Sequence, residues 1–185
     1  LSAERPVAIL SGNDLDHAML VLGCLYAGIP FAAISPAYST VSADFDKLRY
    51  IMAKLTPGLV FASDVEAYGR ALDAVVPADV EIVVSRGEGS RAATPFADLL
   101  ATAPTDAAEA AHRTVGPDTI AKFLYTSGST GNPKGVVTTQ RMLCSNQVML
   151  RETLAFVKDE PPVLIDWLPW NHVFGGSHNC GLVLF

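Results

Sequence analysis

Short apolar runs alternate with helix-like stretches over residues 1–85, and this alternation limits the fold more than any other feature. The runs are Val7 to Leu10, Phe31 to Ile34, Leu59 to Ala62 and Glu81 to Val84. Each is bounded by Gly, Pro, Asn or Ser, as a short buried strand should be. Leu15 to Tyr26 is apolar almost all round and reads as a buried helix. Asn13 is its expected N-cap, Asp14 and Asp16 sit where the helix dipole favours negative charge, and Gly28 and Pro30 end it. Ser42 is expected to cap a second helix, in which Phe45, Leu48, Met52 and Leu55 recur at helical spacing before Pro57-Gly58. Val65 to Val76 supplies a third. Strands alternating with helices in this order predict an α/β fold, a parallel sheet flanked by helices on both faces.

Residues 86–118 change character. Arg86 to Arg91 is a polar turn, Pro95 to Thr102 a short helix, and Ala103 to Arg113 an Ala-rich acidic segment in which His112 is an expected exposed loop histidine. The stretch reads as a surface connector within one domain. Residues 119–185 resume the alternation with a strand Ile120 to Tyr125, a loop, a strand Val136 to Thr139, a helix from Arg141 to Phe156 and a strand Val163 to Trp167.

A chain of 185 residues that is 50% hydrophobic can bury a core, which excludes disorder. A net charge of −6 argues against a nucleic-acid or membrane-surface partner, since both call for a basic face. No apolar run reaches membrane-spanning length, so no membrane insertion is expected. Cys24, Cys144 and Cys180 are an odd number, best read as free thiols in a reducing cytoplasm. The chain has neither a start methionine nor a basic leader, and Gly181 to Phe185 stops without a cap. It reads as a piece of a larger protein.

The loop carries the chemistry. Tyr125-Thr126-Ser127-Gly128-Ser129-Thr130-Gly131-Asn132-Pro133-Lys134-Gly135 holds four Ser or Thr hydroxyls, three glycines, one lysine and no acid. Glycines let successive backbone N–H groups point into one concavity, and the hydroxyls and the ammonium add donors suited to phosphate oxygens. The same residues are ordinary turn formers, so composition alone also allows a long hairpin loop. A Walker A loop needs Gly before its Lys and Ser or Thr after it, whereas Pro133 and Gly135 flank Lys134. A nucleophile elbow needs Gly-x-Ser-x-Gly, and Ser129 lies in Gly-Ser-Thr-Gly.

In order, these eleven residues resemble the phosphate-binding signature of the acyl-adenylate-forming enzymes, the superfamily of acid–CoA ligases, luciferases and peptide-synthetase adenylation domains. Leu168-Pro169-Trp170-Asn171-His172-Val173-Phe174-Gly175 resembles the Leu-Pro-x-x-His-x-x-Gly motif that follows the loop in that family. Leu22 to Pro36 is similar to its helix-to-strand element, with low specificity. The resemblance implies a partial N-terminal AMP-binding domain, the C-terminal domain being absent.

It also implies a reaction: ATP-dependent activation of a carboxylic acid to an acyl-adenylate, then transfer to coenzyme A, with Mg²⁺ bridging phosphate oxygens. Thr126, Ser127, Gly128, Ser129, Thr130, Gly131 and Lys134 would hold the nucleotide phosphates. Lys134 and His172 would serve catalysis, His172 where the acid meets the α-phosphate. The run Asp166 to Gly176 looks most like the feruloyl-CoA synthetase branch, with Trp167, Trp170 and Phe174 offering aromatic faces to a hydroxycinnamate. A fatty acid or another aryl acid fits the same fragment. So does a non-catalytic nucleotide-binding module, while the fragment alone is expected to be inactive. His172, His178 and Cys180 fit no common zinc spacing.

Overall fold

The computed structural model describes residues 1–126, 131–160 and 163–185. Its strands are β1 (Val7–Leu10), β2 (Phe31–Ala33), β3 (Leu59–Ala62), β4 (Glu81–Val84), β5 (Thr94–Pro95), β6 (Ile120–Thr126) and β7 (Lys134–Thr139). They form one sheet in the order β5-β4-β3-β1-β2-β6-β7. All neighbours are parallel except β6 and β7, which pair antiparallel. The expected parallel α/β sheet is therefore present, with one hairpin at its edge.

The helices are α1 (Leu15–Ala27), α2 (Ala37–Thr40), α3 (Asp46–Leu55), α4 (Val65–Val75), α5 (Phe96–Ala101), α6 (Asp106–His112), α7 (Gln140–Thr153) and α8 (Cys180–Leu184). Alternate strand residues point to opposite faces, so the sheet feeds two cores. Ala8, Leu10, Val60, Ala62, Ile82 and Val84 meet Leu48, Ile51 and Met52 of α3 and Ala71 and Leu72 of α4. Val7, Ile9, Phe31, Phe61 and Val83 meet Cys24 of α1 and Phe96 of α5. Both faces are covered, which is why these strands read as continuous apolar runs.

Five local expectations need correction. The N-cap of α1 is Asp14, whose carboxylate accepts from the His17 N–H, and Asn13 is left for another task. Ser42 does not cap α3 directly, since Phe45 takes the cap position in the left-handed region at φ 58°; the Ser42 hydroxyl accepts from the Phe45 N–H instead. α7 ends at Thr153, and Ala155 to Lys158 continues as a 3₁₀ turn. The Ala-rich segment is helical in α6, and His112 is no loop residue. Its ring stacks on Tyr26 at 3.9 Å, with Nδ1 3.0 Å from the Tyr26 carbonyl, so the connector is pinned to α1.

The fifth correction bears on the site. Val163 to Trp167 joins no sheet ladder. Val163, Ile165 and Trp167 are 94%, 102% and 84% exposed, while Leu164 and Asp166 face a cavity. The apolar run that suggested a strand is turned to the cavity wall instead of to a hydrogen-bonded neighbour.

Candidate functional site

Strand order reverses on either side of β1, and ligands in open α/β sheets sit beyond the carboxyl ends of the strands at such a point. Because β1, β2 and β6 are mutually parallel, the turn after β1 and the loop after β6 leave the same edge of the sheet. The sequence from Leu168 to Gly176 also comes to this edge. Asn13, in the turn between β1 and α1, donates through Nδ2 to the Leu168 carbonyl at 2.9 Å. Its Oδ1 accepts from the Trp170 N–H at 3.0 Å. His17, one turn into α1, meets the Trp170 ring edge-on at 5.2 Å.

The mouth of the β6–β7 hairpin is defined by the cross-strand pair Thr126 and Lys134. Both are exposed, as is Gly131, which takes φ 93° and so adopts a conformation that a side chain would strain. Ser127, Gly128, Ser129 and Thr130 lie outside the described residues. Thr126 and Lys134 thus face each other across the mouth of the hairpin.

His172 is exposed at the start of a tight backbone segment. Its N–H donates to the Pro169 carbonyl and its own carbonyl accepts from the Gly176 N–H at 2.8 Å. The Phe174 N–H donates to Nδ1 at 3.3 Å, which leaves Nε2 as the ring's donor. Phe174 to Asn179 winds as a π-helical turn, a form that recurs at functional sites. A Cβ on Gly176 would overlap the Trp170 carbonyl oxygen, and one on Gly175 would press on the Pro169 carbonyl. These two glycines are required by close backbone approach.

Between α1 and α8 lies a cavity of about 380 Å³. Ala18, Val21, Leu22, Phe31 and Val183 make it largely apolar, while Asn13, His17 and Asp166 add polar groups. Such a size and lining suit a small organic ligand. Of the three aromatic residues expected at the acid pocket, only Trp170 lines it. Trp167 faces outward and Phe174 packs on His178 at 4.7 Å.

Sequence reasoning missed three side chains. Asn13 reads as a cap, because the two hydrogen bonds it makes with backbone over 150 positions away leave no sequence signal. Gln147 of α7, 4% exposed, donates to the Ser177 carbonyl at 2.8 Å. Lys122 of β6 is 3% exposed and donates to the Gly176 carbonyl at 3.0 Å. A lysine inside an apolar strand was the available clue. Burial lowers its pKa from 10.5 to about 8, opposed by the Cys180 thiol. His17 is lowered by burial, against the raising effect of the Gly12 carbonyl and Asp14. Burial and then Asp166 push the Cys180 thiol up to about 11.

Sheet order and edge loops define the class, an open α/β domain whose ligands belong at the carboxyl edge of its strands. The chain belongs to the AMP-binding enzyme family, whose model matches residues 1–185. It is 29% identical over 175 residues to indigoidine synthase of Streptomyces lavendulae, covering 92% of this chain and 12% of that protein. It is 32% identical over 148 residues to sulfoacetate–CoA ligase of Cupriavidus necator, covering 79% of this chain and 26% of the relative. Among solved structures, a malonyl-CoA ligase ternary product complex with methylmalonyl-CoA and AMP bound superposes with a TM-score of 0.68 at 26% identity. That match covers 96% of this chain and 32% of the other. The chain spans about a third or less of the length of these relatives.

Proposed function

We propose that this chain is part of the large N-terminal AMP-binding domain of an acid–CoA ligase that activates a carboxylic acid with ATP and passes the acyl group to coenzyme A. The observation that carries this reading is the meeting of two motifs at one sheet edge, the loop bounded by Thr126 and Lys134 and the segment bearing His172. In the first step the carboxylate attacks the α-phosphate of ATP and pyrophosphate leaves. Lys134 and the loop's donors, Thr126 to Gly131, offset the charge that grows on the departing pyrophosphate. Mg²⁺ arrives with the nucleotide as part of that substrate, and the assignment needs no metal-binding side chain here. His172, whose Nδ1 accepts from the Phe174 N–H and so leaves Nε2 to donate, orients the acid or the α-phosphate oxygen at the junction. The thiol of coenzyme A then attacks the acyl carbonyl of the adenylate, the thioester forms and AMP leaves, as the likeness to a sulfoacetate–CoA ligase and a malonyl-CoA ligase supports.

The acid is a hydroxycinnamate such as ferulate. Trp170, two residues before His172, supplies an aromatic wall to the cavity, and the volume accommodates a planar ring. Among the described residues no helix is long and apolar enough to cross a membrane, and the three free cysteines suit a reducing compartment such as the cytoplasm. The test is a competition between ferulate, benzoate, acetate and octanoate for thioester formation by the full-length enzyme. Preference for ferulate is expected; preference for octanoate or acetate would end the aromatic assignment, and the domain of residues 1–185 alone should give no turnover.

A further inference from the structure

β6 leads directly into the phosphate loop, and it carries a lysine where a sheet interior ordinarily holds an apolar side chain. Lys122 sits beside Phe31 of β2, on the face covered by α1. Among the described residues no carboxylate lies within ion-pair distance of it. An uncompensated buried ammonium costs stability, and an unbranched apolar residue would fill the same space without that cost. Among the described residues its hydrogen bond goes to the Gly176 carbonyl at 3.0 Å. The N–H of the same residue donates to the His172 carbonyl at 2.8 Å. A two-bond path therefore runs from the strand that leads into the loop to the backbone of His172.

We infer that Lys122 is a positioning residue, which holds the turn carrying His172 in register with the phosphate loop so that both address one carboxylate–phosphate junction. This rests on the adenylation reading above. The side chain touches no substrate and acts through His172. Misplacing a reacting group by about 1 Å costs up to about a hundredfold in rate, so the tether's loss belongs in kcat and not in nucleotide affinity.

The experiment is a double-mutant cycle in the full-length enzyme with Lys122→Met, His172→Ala and the two together, read by acid-dependent exchange of labelled pyrophosphate into ATP. Amide hydrogen exchange in the peptide spanning 170–178 is followed in parallel. Lys122→Met is expected to lose about ten- to a hundredfold in kcat with KM for ATP within about twofold, to melt no lower than the parent, and to exchange faster at 172–177. In the His172→Ala background it should cost nothing further. Additive losses, or a folded Lys122→Met enzyme with unchanged kcat and unchanged amide exchange, would overturn the assignment. Should Lys122→Met not fold, Lys122→Gln carries the same cycle with an uncharged side chain. A parent enzyme without acid-dependent exchange refutes the adenylation reading itself, and amide exchange then decides the tether alone, unchanged protection at 172–177 overturning it.

Discussion

Asn13 and Asp14 are adjacent polar residues with separate tasks, and exchanging each for alanine should separate them. Asn13 makes two hydrogen bonds to the backbone of Leu168 and Trp170. At about 1 kcal/mol net for each, their loss weakens the attachment of the His172 segment by about 2 kcal/mol. Asn13 is exposed, so water takes over part of the freed bonding and about 1 kcal/mol is the lower bound. Opening of the segment should become about 5- to 30-fold more frequent, since about 1.4 kcal/mol is a factor of ten. Asp14 instead accepts from the His17 N–H at 2.8 Å and caps α1. Its removal should cost about 1 kcal/mol of global stability. Hydrogen exchange of residues 168–177 and denaturant melts on both variants give the assay. Asn13→Ala is expected to speed segment exchange with little change in the melt, and Asp14→Ala the reverse. A lowered melt for Asn13→Ala with unchanged protection at 168–177 would refute the division and return Asn13 to the cap.

Lys134→Ala in the full-length enzyme should slow acid-dependent pyrophosphate exchange by about 10²–10³ with an unchanged melt, as loss of one aimed electrostatic donor does. Gly131→Val should slow it too, because φ 93° excludes a β-branched side chain; unchanged exchange in both variants would leave the loop a plain turn. Gly176→Ala should displace Trp170, whose carbonyl oxygen the new methyl overlaps, with a shift in tryptophan fluorescence as the readout. Lys122 also predicts a pH effect, with His17 and the Cys180 thiol as the titratable groups that face it. Below pH about 8 the lysine is charged in both folded and unfolded chains, and the fold bears a cost of about 3 kcal/mol for a pKa lowered from 10.5 to about 8. Between those values the folded chain sheds its proton first and the cost fades. The stability advantage of Lys122→Met over the parent should therefore shrink between pH 7 and pH 9.5, and a constant difference would show that Lys122 is not desolvated.

Much of the sheet was legible because parallel strands buried on both faces leave short, uninterrupted apolar runs. Val7–Leu10, Leu59–Ala62 and Glu81–Val84 fall where those runs do, and Gly28, at φ 67°, ends α1 as its sequence implied. Val163 to Trp167 has the same look, yet Leu164 and Asp166 face a cavity and Val163, Ile165 and Trp167 face solvent. Composition cannot distinguish a ladder partner from a cavity wall. The positions of Thr126, Gly131, Lys134 and His172 were readable as motifs, since their order is local. The side chains that fasten the His172 segment, Asn13, Lys122 and Gln147, were not, because each bonds backbone groups brought near only by the fold. Asn13 was further masked by Asp14, as either residue type serves as a cap.

Exchange of labelled pyrophosphate into ATP, followed in the full-length enzyme with and without a carboxylic acid, separates an adenylating enzyme from a module that only binds nucleotide. Adenylation predicts exchange that requires the acid, is greatest with ferulate, and falls by about 10² or more in Lys134→Ala. ATP binding with no acid-dependent exchange would contradict it.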